Sequence, residues 1–344
     1  MTALWDTTGA EVVRELAAAR RSDGVTSGLA LTLVAVVDER PGARYTPVKA
    51  VEDAATVAAA AHPCRILVVT RSPVGRSSSP DRLDAEVVLG GRLGPCEAVI
   101  MRMQGRLALH AESVVMPLLA PDVPVVTWWH GPPPEQLSTD PLGVVAERRI
   151  TDCRQAEDPV AALHQRAVDY AAGDTDLAWT RTTGWRTLVA GALDVPARTG
   201  ARPVAATVTA PAGDASAALF AGWLSARLEF DPAREDTPGG GPTAGAPVDG
   251  LASVRLELAE DDEITVRRED GAAVLQRTGH DPRVVPMLAR SLGEELAEEL
   301  RRLDADQPYA RALSATTRVP ELTRRPTSRV HIWVDPADAS GAPE

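Results

Sequence analysis

Two adjacent tryptophans and a histidine stand in the segment PVVTWWHGPPP, residues 124–134. Its apolar start predicts a short buried strand, and its three prolines predict a stiff, extended loop. Because neighbouring strand residues point to opposite faces, we expect one of Trp128 and Trp129 to fill the core. The other, with His130, is expected to reach the carboxyl edge of the sheet, where α/β proteins bind ligands. Packing alone is the alternative for the tryptophans.

His130 is the one histidine considered for proton transfer, because a general base can meet substrate on a loop that follows a strand. None of the six histidines is followed at ligand spacing by a second, so a hydrogen-bonded loop histidine is the favoured interpretation. The sequence also has no GxGxxG after a strand, no Walker loop, no GxSxG elbow and no HExxH. No catalytic residue, no metal site and no cofactor is therefore predicted.

An arginine-rich loop offers a different chemistry. Arg71, Arg76 and Arg82 occur with three serines in RSPVGRSSSPDR. Guanidinium and hydroxyl donors can hold a phosphate group. The segment lacks the glycines of a phosphate cradle, so a solvated loop is favoured over a phosphate site.

A second aromatic cluster lies in DTDLAWTRTTGWR, residues 174–186. Arg181 and Trp185 are four residues apart, so on a helix they can stack as a cation over a ring. Trp179 and Arg186 belong to the same cluster, and tryptophan and arginine are enriched at the energetic centres of protein interfaces. A helix that joins two domains and buries its tryptophans is the equal alternative.

Composition excludes several classes of function. The chain has 48 acidic and 36 basic residues and a net charge of −12, which disfavours nucleic acid and anionic membranes as partners. The longest apolar run, residues 28–37, is too short to span a membrane, and the N-terminus lacks the order of a signal peptide. A cytoplasmic location is expected. Cys64, Cys96 and Cys153 have no CxxC spacing and are interpreted mainly as structural, reduced thiols.

The elements that position these residues alternate between strand and helix in the first half. Strands are predicted near residues 28–37, 65–70, 84–89, 97–104, 123–128 and 148–152, and helices near 8–21, 48–61, 107–119 and 159–171. Such alternation predicts an α/β fold with a mostly parallel sheet covered by helices. We place this N-terminal domain at residues 1–172.

The second half, residues 173–344, is expected to form an α+β domain. Helices are predicted at 182–193, 215–229 and 284–303, and strands at 203–209, 254–258, 263–268 and 273–277. These last three strands alternate apolar and polar residues, as in a sheet with one wet face. The Pro/Gly-rich stretch 231–250 is expected to be a flexible loop.

Three segments together resemble the OpcA family of bacterial glucose-6-phosphate dehydrogenase assembly proteins: VVMPLLAPDVPVVTWWHGPPP, DPLGVVAERRITDC and DTDLAWTRTTGWRTLVAGALD. The resemblance covers roughly residues 5–335. It implies a non-enzymatic effector that binds glucose-6-phosphate dehydrogenase, favours its active oligomer, and so supports the oxidative pentose phosphate pathway and NADPH supply. Thioredoxin-dependent control through cysteines is a property of some members, but no cysteine here matches such a site.

An effector needs a surface that prefers the active state of its partner. The candidates for that surface are Trp128, Trp129, His130, Trp179, Arg181, Trp185 and Arg186. The competing hypothesis is an enzyme or sensor that binds a sugar phosphate or nucleotide in the first domain, through the 71–82 loop, His130 and Asp140 or Glu147.

Overall fold

The computed structural model of the chain describes residues 1–23, 28–39, 48–72, 81–90, 96–137, 139–199, 201–237, 250–259 and 261–326. Within these ranges the chain forms two sheets flanked by helices. The α/β fold class is confirmed, with a mostly parallel first sheet and a mixed second sheet. None of the helices in these ranges has the length and apolar character needed to cross a membrane.

The first sheet has eight strands in the order β1-β4-β5-β3-β2-β6-β7-β8. The strands are β1 (Thr2–Leu4), β2 (Leu31–Asp38), β3 (Cys64–Arg71), β4 (Arg82–Leu89), β5 (Glu97–Gln104), β6 (Val125–His130), β7 (Arg148–Thr151) and β8 (Asp174–Asp176). All are parallel from β5 to β8, whereas β4 pairs antiparallel with β5 and β1 antiparallel with β4. The parallel strands follow the doubly wound order, whose direction reverses between β2 and β6.

Helices cover both faces of this sheet because its strands are apolar on both sides. Val34 and Val36 lie in one core with α1 (Gly9–Asp23), α3 (Ala111–Val115) and α4 (Pro141–Val144). Leu33 and Ala35 point the other way, toward α2 (Val48–Ala61) and α9 (Leu292–Leu300). The helix α9, which comes late in the chain, therefore completes the layer over the first sheet.

The second sheet has the order β10-β9-β11-β12-β13-β14. Its strands are β9 (Pro203–Ala210), β10 (Ala233–Asp236), β11 (Ser253–Leu258), β12 (Glu263–Glu269), β13 (Ala272–Arg277) and β14 (Arg283–Pro286). Val254 and Leu256 face a core with α7 (Thr183–Thr199) and α8 (Ala215–Leu228), whereas Arg255 and Glu257 are exposed. The expected wet face of the β11–β13 sheet is confirmed.

A third layer joins the two sheets. It consists of α5 (Pro159–Val168), α6 (Leu177–Arg181), α8 and α10 (Gln307–Thr317), which share one apolar cluster around Tyr309. Helices α8 and α10 approach closely at Gly222, where a Cβ would stand 2.4 Å from the carbonyl oxygen of Ala312. Only glycine fits there without a shift of the backbone.

Several elements differ from the sequence-based expectations. The helix expected at 107–119 is a short α3 between two 3-10 turns, Gly105–Ala108 and Met116–Leu118, the second of which contains Pro117. The helix expected at 284–303 is β14 followed by α9, because the first residues pair with β13. Strand β10 lies in the stretch 231–250, so a loop is wrong for those four residues, and 238–249 lies outside the described residues.

Candidate functional site

The carboxyl ends of β6, β7 and β8 bring polar residues together at one edge of the first sheet. His130 ends β6, Asp152 follows β7, and Asp176 ends β8. The three positions are more than twenty residues apart in sequence and meet because parallel neighbours finish at the same edge. We call His130, Asp152, Asp176, Arg181 and Glu295 the carboxyl-edge cluster.

The adjacent tryptophans before His130 are both interior. Trp128 is 0% exposed and lies in the core that includes α2 and α9, while Trp129 is 1% exposed and lies in the opposite core, next to Gly143 of α4. The expectation that one indole reaches the edge is wrong, because both faces of the sheet are covered and each face takes one ring. Only His130 emerges at the edge, half-buried, with its ring 5.4 Å from that of Trp128 in an edge-to-face arrangement.

His130 favours its neutral form. Burial lowers the pKa of His130 from its ordinary value of 6.5, and the nearby carboxylate of Asp152 opposes this shift. A neutral imidazole can accept or donate a hydrogen bond at neutral pH. Asp152 is not available as a basic partner for it, because both of its oxygens are already bonded to Arg181.

Arg181 is the centre of the carboxyl-edge cluster. Its Nη1 and Nη2 donate to the two oxygens of Asp152 at 2.7 and 2.8 Å, and its Nε and Nη2 donate to Glu295 at 2.9 and 2.8 Å. Burial lowers the pKa of Arg181, but the two carboxylates outweigh it and raise the pKa above its ordinary value. All three side chains are at most 5% exposed. The arrangement binds α9 to the edge of the sheet.

Asp176 is satisfied locally. Its carboxylate accepts hydrogen bonds from the Thr151 hydroxyl and from the backbone N–H groups of Cys153 and Ala178, the last of which caps α6. Burial, followed by the charge of Asp152, raises the pKa of Asp176. The residue fixes the turn from β8 into α6, the helix that positions Arg181.

The arginines and tryptophans of the segment 174–186 pair differently from the expectation. Arg186, not Arg181, stacks on a ring: its guanidinium carbon lies 3.5 Å from the centroid of Trp179. Trp185 is 0% exposed and has Arg268 at 5.4 Å over its ring. The expected stacking of Arg181 on Trp185 is wrong, because Arg181 turns toward its carboxylates.

Trp179 is a second interior indole of this segment. It is 1% exposed, and its Nε1 donates to Asp306 at 2.8 Å. Four of the seven partner candidates, the tryptophans 128, 129, 179 and 185, are thus packing groups in the isolated chain. Whether any of them contacts a partner stays a prediction. Trp5, which the sequence pattern did not single out, is 72% exposed.

The arginines of the 71–82 loop are directed to carboxylates. Arg71, at the end of β3, donates to Asp38 at 2.6 and 2.9 Å and to Asp140 at 2.9 Å. Arg82 pairs with Asp84 at 2.9 Å, and Arg76 lies outside the described residues. Arg71 stands beside the point where the strand order reverses, and its Nε and Nη2 are already bonded to the two carboxylates. The phosphate assignment stays a prediction.

Two further candidates have structural contacts. Asp140 is the N-cap of α4 and accepts from the backbone N–H of Leu142, in addition to its ion pair with Arg71. Glu147 precedes β7, and its backbone N–H donates to Val125. Neither contact requires a ligand.

The three cysteines are buried and unpaired by disulfides. Burial raises the pKa of Cys64 to about 12 and also raises the pKa of Cys96 and of Cys153. A thiol that resists ionisation is a poor nucleophile and a poor metal ligand. In the described part of the chain no three His, Cys, Asp or Glu side chains are grouped so that they could hold a metal ion.

The acidic partners were the residues that sequence reasoning missed. Asp152, Glu295, Glu299 and Asp306 each hold an arginine or a tryptophan of the two predicted clusters or of their neighbours. One local signal existed: Ser291 and Glu294 form a capping box that begins α9 and so fixes where Glu295 faces. Pairing across more than a hundred residues has no local signature.

Comparisons with known proteins match two successive segments of the chain. Residues 55–168 match the OpcA family model described as glucose-6-phosphate dehydrogenase subunit N-terminal domain, and residues 172–313 match the corresponding C-terminal domain. A Synechococcus elongatus protein named OxPP cycle protein OpcA is 32% identical over 151 residues, 42% of this chain and 34% of that protein. A Nostoc punctiforme protein of the same name is 28% identical over 143 residues, 40% of this chain and 31% of that protein. Each alignment thus spans about a third of the relative.

Proposed function

The chain belongs to the OpcA family, and we propose that it binds glucose-6-phosphate dehydrogenase and favours the active oligomer of that enzyme. The observation that carries the proposal is the match of two successive family domains, both described as parts of a glucose-6-phosphate dehydrogenase subunit. In this role the chain acts as a cytoplasmic assembly factor and allosteric activator, not as a catalyst. It would support carbon entry into the oxidative pentose phosphate pathway and NADPH supply.

The arrangement of charged groups supports an assembly role. A general base needs an accessible proton acceptor, and a nucleophile needs an activated form. In the carboxyl-edge cluster the acidic groups are bonded to Arg181 or to backbone N–H groups. An assembly factor instead needs a rigid surface, and the same bonds make this edge rigid.

Activation requires a difference in affinity. The chain must bind the active oligomer more tightly than the inactive enzyme, because a ligand with equal affinity for both shifts no equilibrium. A coupling of about 1–3 kcal/mol corresponds to roughly 5- to 150-fold modulation.

The test mixes the purified chain with glucose-6-phosphate dehydrogenase from the same organism. We expect a higher initial velocity at fixed substrate and a shift of the enzyme toward a larger oligomer in light scattering coupled to size exclusion. The control is the same concentration of heat-unfolded chain added to the dehydrogenase. If neither the velocity nor the oligomer profile changes at saturating chain, the proposal fails.

A second candidate function has one observation in its favour, the doubly wound strand order with its reversal between β2 and β6. Folds with this order bind nucleotides or sugar phosphates at that position. Against it, Arg71 is bonded to Asp38 and Asp140. A rise in melting temperature with glucose 6-phosphate or NADP, in the absence of the dehydrogenase, would favour this candidate.

A further inference from the structure

Arg186 is held in one orientation by three contacts. One face of its guanidinium lies 3.5 Å from the ring centroid of Trp179. Its Nε donates to the Thr182 hydroxyl at 2.9 Å, and its Nη2 donates to the Thr183 hydroxyl at 3.0 Å. Those hydroxyls themselves donate to backbone carbonyls at 2.7 Å, so they are fixed acceptors. One edge of the guanidinium is therefore occupied, and the other edge, with Nη1, is presented in a fixed direction.

The presented edge has no carboxylate. Among the residues that the structure describes, Nη1 of Arg186 makes no hydrogen bond, and no acidic side chain forms an ion pair with this arginine. Burial lowers the pKa of Arg186 to about 10, and Asp306 and Glu299 oppose the shift from a distance without contact. A desolvated charge without an ion-pair partner is unfavourable in the isolated chain. This cost favours the binding of a group that supplies a negative charge to Arg186.

Arg186 faces a cleft of about 630 Å³ between the start of α7, the end of α9 and the start of α10. The cleft is lined by four arginines and four carboxylates. Arg148 is bonded to Glu299, and Arg301 to Glu298. Both oxygens of Asp306 are used, by Trp179 and by the backbone N–H of Tyr309.

The lining of the cleft is neutral overall, because its four arginines are matched in number by its four carboxylates. Two of these arginines, Arg148 and Arg301, are neutralised by direct pairs. Asp306, Glu299 and Glu298 act on the charge of Arg186 from a distance, and the two oxygens of Asp306 accept from the Trp179 indole and the backbone N–H of Tyr309. The presented edge can donate to an anion, and the four acidic groups of the lining disfavour a dianion more strongly than a monoanion.

We propose that Arg186, stacked on Trp179, is the receptor for a carboxylate side chain of glucose-6-phosphate dehydrogenase, which enters the cleft between α7, α9 and α10. This inference rests on the proposed function and names one contact of that interface. A planar guanidinium matches a carboxylate with two parallel hydrogen bonds. Because the orientation of Arg186 is already fixed, little side-chain entropy is lost when the carboxylate binds.

The test measures the affinity of the dehydrogenase for the wild-type chain, R186Q and the control R311Q. Arg311 is exposed on α10 and does not line the cleft, so its variant has the same change in net charge. R186Q is expected to bind roughly 10- to 100-fold more weakly, the range for a hydrogen-bonded charged pair. R311Q is expected to bind as the wild type does. The loss in R186Q should shrink at high salt, since the contact is ionic.

The possible results separate the two proposals. If the wild-type chain does not bind the dehydrogenase, the proposed function fails. If the wild type binds and R186Q binds equally well, the carboxylate receptor is overturned while the function stands. Inorganic phosphate is also titrated into the chain alone: tight binding that R186Q abolishes would overturn the assignment to a protein carboxylate. Should R186Q unfold, R186M, which keeps the aliphatic stem on Trp179, takes its place and the same outcomes apply.

Discussion

Two arginines five residues apart, Arg181 and Arg186, have opposite environments. Arg181 has four hydrogen bonds to Asp152 and Glu295 and lies at the carboxyl edge of the first sheet. Arg186 has a ring beneath it, two hydroxyls at one edge and no bonded carboxylate among the described residues. Both guanidinium groups are largely removed from water, but the pKa of Arg181 is raised and that of Arg186 is lowered.

The bonding of its donors separates a structural arginine from a functional one. An arginine whose donors are used inside the chain stabilises the fold and offers little to a ligand. An arginine that is oriented but not neutralised contributes less to folding and retains its capacity to bind. The sequence motif contains both residues and gives no means of telling them apart.

The largest expected effect is the loss of stability when Arg181 is replaced. In R181M the carboxylates of Asp152 and Glu295 remain buried without their cation, so the free energy of unfolding should fall by about 3–5 kcal/mol. Urea unfolding measures it. The control R82M removes an arginine that is 41% exposed beside Asp84, and it should cost far less than R181M because a solvent-exposed ion pair is screened by water. Equal losses in the two variants would contradict the structural role of Arg181.

A smaller loss of stability is expected when Trp179, the ring on which Arg186 stacks, is replaced. W179F removes the Nε1 hydrogen bond to Asp306 and weakens the cation–π contact, so the free energy of unfolding should fall by about 2 kcal/mol. The matched control is W5F, because Trp5 is 72% exposed and should tolerate the change within about 0.5 kcal/mol. A loss in W179F as small as that of W5F would show that the stack does not hold Arg186.

R186Q itself should change the free energy of unfolding by less than about 1 kcal/mol. The cation–π contact is lost, but so is the cost of keeping an un-neutralised charge away from water. The measurement is the same urea titration, compared with that of R181M. A loss of several kcal/mol would place Arg186 with Arg181 among the structural cations and would remove the distinction drawn between them.

The smallest effect concerns pH. Burial lowers the pKa of His130, so as pH falls below about 6.5 the unfolded chain takes up the proton first and stability declines. H130Q should therefore lose less stability than the wild type between pH 7 and pH 5. The raised pKa values of Asp176 and Glu295 act in both proteins and cancel in the difference. H164Q, at an exposed position of α5, is the control; identical pH profiles for H130Q and wild type would reject the prediction.

Much of the first sheet was predictable because its long strands are local runs of apolar residues in the sequence. Helix α2 and strand β5 have the predicted bounds, 48–61 and 97–104, since periodicity and flanking residues determine both. Strand β8 was missed because Asp174–Asp176 has a composition unfavourable to strands and exists only through its pairing with β7. Helix α10 was missed as well; its sequence, QPYARALSATT, has Tyr309 and Leu313 as its large apolar residues and is otherwise small or polar.

The segments that form the candidate site were predictable from the sequence, but the role of each residue in it was not. The two tryptophan clusters do converge on one side of the molecule, around Asp152 and Arg181. Exposure could not be inferred from residue type, because whether a tryptophan is covered depends on helices that arrive from elsewhere in the chain. One partner of Arg181 is Asp152, the residue after β7, and the other is Glu295 of α9, 114 residues away; no local pattern encodes such a pair.

The position of α9 has a consequence for biosynthesis. The alanine-rich face of α2 is covered by Leu296 and Leu300, which leave the ribosome more than two hundred residues later. At ordinary elongation rates that interval lasts on the order of ten seconds. During this time the nascent first sheet carries a bare apolar face, which is a natural site for chaperone capture. A gene truncated before α9 would leave that face permanently uncovered, so its product should accumulate in inclusion bodies.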